Sequence, residues 1–459
     1  MPASVKAENT QVFPRFLDAA YPNIARGEGV WLYTTDGRRV LDACSGGAMV
    51  ACLGHSVPEL AAAAAQQAER VSYMYNHHFT NDPQERLAAR LMEVAPEMAR
   101  VRFTSGGSEA NEAALRLARS YHVERGEPER WQVISEAQAY HGSTMATLAL
   151  TGRRNLQEPY TPYFAGHLHL PPSTWRFDPT GQAALEELDR LLESLGPKTV
   201  AAFFCEPVGG AALPAHCPPC RFWEGLAERR DRYGFLVCFD EVVTGMGRVG
   251  SWLAAHQLPI EPDIVTIGKG LGAGHAALAA VLCRAHVYQA IEQGSRQFDL
   301  GHTWDGAPVP TAVGLAVVDL LVERGLIERV GDRGASLHGN LEAALADAEI
   351  IGEVRGRGFL LGVELVDPGD GRSLLPDELA AATLVDEVAF DHGLLVTSTH
   401  STPDGYAGDQ TLLAPAYTST DAELDQMVEL FAATIKEVER RIKRALSQRF
   451  RRFGAGESR

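Results

Sequence analysis

The chain has 459 residues, 45% of them hydrophobic and 22% charged, and a formal net charge of −17. That length accommodates one large domain plus a smaller one, and the composition is that of an ordinary globular protein with a sizeable core. An acidic balance this strong argues against nucleic acid or an anionic membrane as the main partner, but not against a small anion held in a locally positive pocket.

The opening residues, MPASVKAENTQVF, have neither a basic start followed by an apolar run nor an Arg-rich amphipathic pattern. No signal or transit peptide is expected, and no stretch approaches the ~18 consecutive apolar residues of a spanning helix. Seven scattered cysteines fit reduced thiols in the cytoplasm. The one close pair, Cys217 and Cys220, lacks a second pair at similar spacing, so it reads as a loop and no metal site is expected.

Along the chain, VWLYTTDGRRVLD reads as two short strands joined at Asp36-Gly37, a hairpin signal. An alanine-rich helix follows over 61–71. From about Leu87, helical spacings alternate with short apolar runs at 100–104, 131–135, 199–205, 235–239 and 263–267, the pattern of an α/β fold. After Pro310, TAVGLAVVDLLVERGLIERV reads as one long helix. FLLGVELV and GLLV then read as strands and 421–452 as a basic amphipathic helix. The expected division is an N-terminal segment (1–60) that joins a C-terminal small domain (330–459) of α+β type, around a large domain (61–329).

The chemistry gathers where the apolar runs of the large domain end. Gly106, Gly107 and Ser108 lead from the first run into a helix, and free N–H groups at a helix start bind phosphate; an ordinary cap explains the same residues. Tyr140 follows the second run, and Glu206 the third. Asp240 ends the fourth, and Lys269 follows the fifth inside a glycine-rich turn. Ligands bind beyond the carboxyl ends of strands in an open α/β sheet. A lysine facing an aspartate there suits an imine to pyridoxal phosphate, with the carboxylate on the ring nitrogen. Gly268, Gly270 and Ala273 match a dinucleotide fingerprint, but they run into HAALAAVLC, another strand, where that motif requires a helix. His77, His78, His141 and His302 have no metal-like spacing and read as satisfied or surface side chains, with room for one of them at the mouth of the pocket.

These motifs together resemble the class III aminotransferases, pyridoxal phosphate enzymes of fold type I. The resemblance runs from YPNIARGEGVWLYTTDGRRVLD through GGSEANEAALRLAR, YHGST, CEPVGG, DEVVTGMGR, GKGLGAG and GHTWDGAP to RGRGFLLGVEL. It implies a large domain with a mostly parallel sheet flanked by helices. It also implies that Lys269 carries the cofactor and moves the substrate proton, and that Asp240 holds the pyridinium nitrogen. Val242 and Tyr140 would cover the two ring faces, Gly107 and Ser108 would hold the phosphate, and Glu206 would orient the aspartate or the region of the ring hydroxyl. Thr303 resembles a threonine that reaches the neighbouring subunit's phosphate, which implies a homodimer or a dimer of dimers with shared sites.

The departures bear on substrate. Gly106 stands where a serine is common, and Trp304 and Ala307 where a tyrosine and a histidine are usual. Leu412 stands where relatives that recognise a second carboxylate often have arginine, which removes a bidentate partner. The resemblance is therefore to the amine:pyruvate (omega) branch, with an apolar amine or ω-amino acid as donor, a small keto acid as acceptor, and Tyr21, Met49, Tyr140 and Trp304 as pocket candidates. A transaminase using 2-oxoglutarate, or a fold-type I isomerase, racemase or decarboxylase, is the alternative, because the cofactor supports all of these.

Overall fold

A computed structural model describes residues 4–164 and 166–454. The outermost ends of the two terminal segments expected above, residues 1–3 and 455–459, therefore lie outside the described residues.

The central element is a seven-stranded sheet, its strands numbered here along the chain: β1 (Arg100–Thr104), β2 (Gln132–Glu136), β3 (Leu168–Leu170), β4 (Val200–Cys205), β5 (Leu236–Glu241), β6 (Ile264–Ile267) and β7 (Ala279–Cys283). Their spatial order is β1-β7-β6-β5-β4-β2-β3. Strands β3, β2, β4, β5 and β6 run parallel, while β7 pairs antiparallel with both β6 and β1. The expected runs are all strands here, and the short edge strand β3 is an addition.

Every residue of β4, β5, β6 and β7 is buried, as a sheet covered on both faces requires. Side chains along a strand alternate between faces, and the two faces have separate cores. Ala202, Phe204, Leu236, Cys238, Ile264 and Val281 pack with Ala113, Ala114, Leu117 and Ala118 of the helix Gly107–Glu124. Phe203, Cys205, Val237, Phe239, Val265 and Ile267 join the larger core on the other face, with Leu185 and Leu188 of the helix Gln182–Leu195 and Trp223 and Leu226 of the helix Cys220–Tyr233. This alternation decides where the acids at the end of β5 point. Asp240, in phase with Leu236 and Cys238, faces the helix Gly107–Glu124, and Glu241 faces away from it.

Outside this sheet, the hairpin Trp31–Thr34/Arg39–Asp42 forms around Asp36-Gly37 and pairs through Leu41 and Asp42 with Leu394–Leu395. A second, antiparallel sheet joins Ile351–Arg357, Leu360–Leu365, Gln410–Leu413 and Thr397–Thr399. The single long helix expected after Pro310 is two, Pro308–Glu323 and Leu326–Leu345, broken at Gly325 in a left-handed conformation with φ 56°. Of GLLV only Leu394–Leu395 is a strand, and the strand that follows it, Thr397–Thr399, belongs to a different sheet. The helix Asp421–Gly454 closes the described chain.

Candidate active site

A cavity of about 160 Å³ opens at the carboxyl ends of the parallel strands, lined by Gly107, Ser108, Tyr140, Glu206, Asp240, Val242 and Lys269, together with Asn111, His141, Gly142, Ala211 and Val243. The strand ends thus bring seven of the expected site residues to one place. Thr303, Tyr21, Met49 and Trp304 are not among the lining residues. Tyr21 lies on the surface, where its hydroxyl accepts a hydrogen bond from Phe16 N. Met49 is buried among Cys44, Val208 and Leu412. Thr303 and Trp304 sit in an exposed turn, where the Thr303 carbonyl accepts from the Tyr73 hydroxyl at 3.2 Å and the Trp304 ring meets the Tyr73 ring edge-on.

Asp240 is held from three directions. Its Oδ2 accepts from Asn111 Nδ2 at 2.7 Å and lies 2.9 Å from His141 Nδ1, while Oδ1 accepts from Val242 N at 3.1 Å. Asn111 is itself fixed by Thr266 Oγ1, which donates to its Oδ1 at 2.6 Å, from the residue facing Asp240 across the β5–β6 pairing. With two amide donors and the imidazole on it, the carboxylate has little freedom to rotate, and at only 5% exposure both its oxygens have partners.

Lys269 sits at the start of the turn that follows β6, in a left-handed conformation with φ 38°. A non-glycine residue held there is strained, which the surroundings must over-determine. Burial lowers its pKa, with the nearby Glu206 and Asp240 charges opposing that effect, so a larger share of the amine is neutral than on a surface lysine. Glu206 accepts from Tyr140 N at 3.1 Å and Gly210 N at 2.9 Å. Burial, aided by the Asp240 charge against the opposing effect of His141, pushes its carboxyl up to about 7. Behind it Glu136, the last residue of β2, is pushed up to about 8 by burial and by Glu206.

The helix Gly107–Glu124 begins without a side-chain cap, so its first N–H groups remain open toward the cavity end of β1. A Cβ at Gly107 would lie 2.9 Å from Val242 Cγ1, and one at Gly142 2.6 Å from Ser108 Oγ. Glycine at both positions lets the backbone close around the space.

Three side chains that line or back the cavity are absent from the expected set. His141, expected to be a satisfied or surface histidine, is buried on Asp240, edge-on to Phe204 at 4.9 Å. Asn111 carried a legible signal: it is a polar residue in the buried stripe Ala110, Ala114, Leu117 of its helix. Glu136 is the end of a strand like the others, but no glycine or proline after it draws attention. Cys217 is half-buried and Cys220 is the exposed first residue of its helix.

A lysine and a fixed acid over an open helix start, at the carboxyl edge of a mostly parallel sheet, define an enzyme of fold type I. The class III aminotransferase family matches residues 15–435, and the chain belongs to that family. An uncharacterised aminotransferase of Bacillus subtilis is 34% identical over 436 residues, covering 93% of this chain and 98% of its own. Among solved structures, an (S)-enantioselective omega-transaminase from Thermomicrobium roseum superposes with a TM-score of 0.86 at 33% identity, covering 94% of this chain and 96% of its own. An omega transaminase from Pseudomonas jessenii in complex with PMP does so with the same score at 29% identity, covering 95% and 97%.

Proposed function

We propose that the cavity holds pyridoxal phosphate and that the chain moves an amino group from an apolar amine or ω-amino acid to a small keto acid such as pyruvate. One observation carries this reading: Lys269 and Asp240, brought from different strands, line the same cavity as the uncapped helix start at Gly107. The three features suit the cofactor in kind, since a primary amine meets its aldehyde, an acid its ring nitrogen, and open N–H groups its phosphate. Bound there, pyridoxal phosphate supplies an electron sink for the bond broken at the substrate carbon.

The chain's own residues do the rest. The Lys269 amine, made less basic by burial, would serve as nucleophile and then as the base that takes the proton from the substrate carbon and delivers it to the carbon that was the cofactor's aldehyde. Asp240, immobilised by Asn111, His141 and Val242 N, would hold the ring nitrogen in its protonated form. Gly107 and Ser108 would hold the phosphate, while Tyr140 and Val242 would cover the ring. Glu206 and Tyr140 N fix the wall beside Lys269. Leu412, 1% exposed among apolar side chains, offers a second carboxylate nothing, which favours pyruvate over 2-oxoglutarate.

We further infer a homodimer. The exposed aromatic side chains Tyr73 and Trp304 meet at the turn that carries Thr303, and Tyr75 and Phe79, further along the Tyr73 segment, are exposed as well, a surface of the kind a second copy covers. A panel of primary amines with pyruvate or 2-oxoglutarate, read out as alanine or glutamate, tests the reaction. Alanine from an amine supports the reading, and glutamate alone replaces the acceptor. No amino acid from any pair refutes it.

A further inference from the structure

We propose that Arg153 is the residue that recognises the carboxylate of the keto acid acceptor, an inference that rests on the transaminase reading above. The cavity lining contains one cationic side chain, Lys269, and its nitrogen is committed to the chemistry. A keto acid brings a permanent anion, which needs a cation with free donors close to the reacting centre. Leu412 cannot provide one, and most half-buried or buried arginines of the protein are already engaged. Arg176 and Arg355 pair with Glu364, and Arg102 pairs with Asp305. Arg248 donates to the carbonyls of Phe359 and Pro415 and to Ser45 Oγ beneath the Tyr417 ring.

Arg153 differs from all of these. It is half-buried, and among the described residues it forms no ion pair and one side-chain hydrogen bond, from Nη2 to Thr399 Oγ1 at 3.2 Å. A guanidinium has five N–H donors in a planar fork, so a pair of them remains for a carboxylate. The residue before it is fixed in the chain: Gly152 N donates to the Ala139 carbonyl and Gln138 N to the Gly152 carbonyl, each at 3.1 Å. That pairing makes Arg153 a neighbour of the turn bearing Tyr140, which does line the cavity. The partner hydroxyl, Thr399, lies in the strand whose Thr397 sits opposite Leu412. The guanidinium therefore reaches the same small-sheet region from a different element. Burial lowers its pKa, Arg15 of the N-terminal arm adds like charge, and the Tyr140 phenol opposes them.

The two half-reactions allow a clean test on the pyridoxal phosphate-loaded enzyme. With pyruvate as acceptor, R153Q is expected to raise KM about tenfold or more, the cost of one charged hydrogen-bonded contact. With propanal, which lacks the carboxylate, KM and kcat should stay within about twofold of wild type, and so should KM for the amine; R153K should fall in between on pyruvate. Equal changes on pyruvate and propanal, or an unchanged KM for pyruvate, would overturn the assignment. Calorimetric titration with propionate, which binds but cannot react, gives a readout free of turnover: affinity should fall about tenfold in R153Q, and equal affinity in both proteins contradicts the proposal. A wild type that binds propionate through Arg153 yet makes no alanine would leave the carboxylate site standing and remove the transaminase reading instead.

Discussion

Two buried glutamates, Glu364 in the small antiparallel sheet and Glu206 at the edge of the large one, live under opposite electrostatics. Glu364 accepts from Trp175 Nε1, Arg176 Nη2 and Gly408 N, each at 2.9 Å, and from Arg355 Nη1 at 3.2 Å. Burial alone would raise its pKa, but Arg355, Gly408, Arg176 and Trp175 together lower it. Glu206 has two backbone donors and no arginine, and its carboxyl rises to about 7. The difference separates a buried acid that fastens strands together from one left able to exchange a proton near a lysine. Burial is similar in both; the supply of cations is not.

Replacing the amine itself should have the largest effect. Lys269→Ala is expected to lower turnover by about 10⁴-fold or more and to abolish the visible absorbance of bound cofactor; a surviving visible band would detach the lysine from the site. Next is the structural side of the comparison. Glu364→Ala takes from the half-buried Arg176 its carboxylate partner and leaves Arg355 with Glu353 alone, and denaturant melts should show a loss of about 3 kcal/mol. A loss below 1 kcal/mol would mean the network is not what holds the small sheet.

Asp240→Asn keeps the shape and removes the charge, so kcat/KM should drop by about 100-fold or more while the melting temperature of the cofactor-free protein stays close to wild type. Unchanged kinetics would place the ring nitrogen's partner elsewhere. The smallest effect tests the raised acids. Glu136 and Glu206 hold protons in the folded state up to about pH 8 and 7, above the ordinary carboxylate value. The folded chain therefore binds more protons than the unfolded one between the ordinary value and those pH values, and stability falls as pH rises through that window. Glu136→Gln should match wild type near pH 4 and melt on the order of 2 °C higher at pH 9. A lower melting temperature at pH 9 would contradict that sign.

Much of this was legible in the chain because chemistry in an α/β sheet collects at strand ends, and strand ends are marked. Phe235 to Phe239 stops at Asp240, and the 263–267 run stops at Gly268-Lys269. The structure carries β5 one residue further, to Glu241, and puts that acid on the opposite face. There it accepts from Ala254 N and Ala255 N and fastens the loop instead of meeting the cavity. Spacing alone does not reveal what stands behind a site residue. His141 lies 99 positions from Asp240 in sequence, and their contact exists only because β2 and β5 lie on either side of β4. The apolar period continues across Gly325 and so does not mark the break there, which a single glycine decides by adopting φ 56°. For Tyr21, Met49 and Trp304 only the resemblance points to the pocket, and no local pattern says which way each side chain faces.

The central claim is that Lys269 and Asp240 grip one molecule of pyridoxal phosphate and use it to move an amino group. The most direct measurement is a single-turnover absorbance experiment on purified protein loaded with the cofactor. Addition of a reactive primary amine without acceptor should convert the visible band to the shorter-wavelength aminated form, releasing one carbonyl product per site, and pyruvate should then restore the band and yield one alanine. A spectrum that no amine alters, or one that pyruvate and other keto acids cannot restore, would contradict the account.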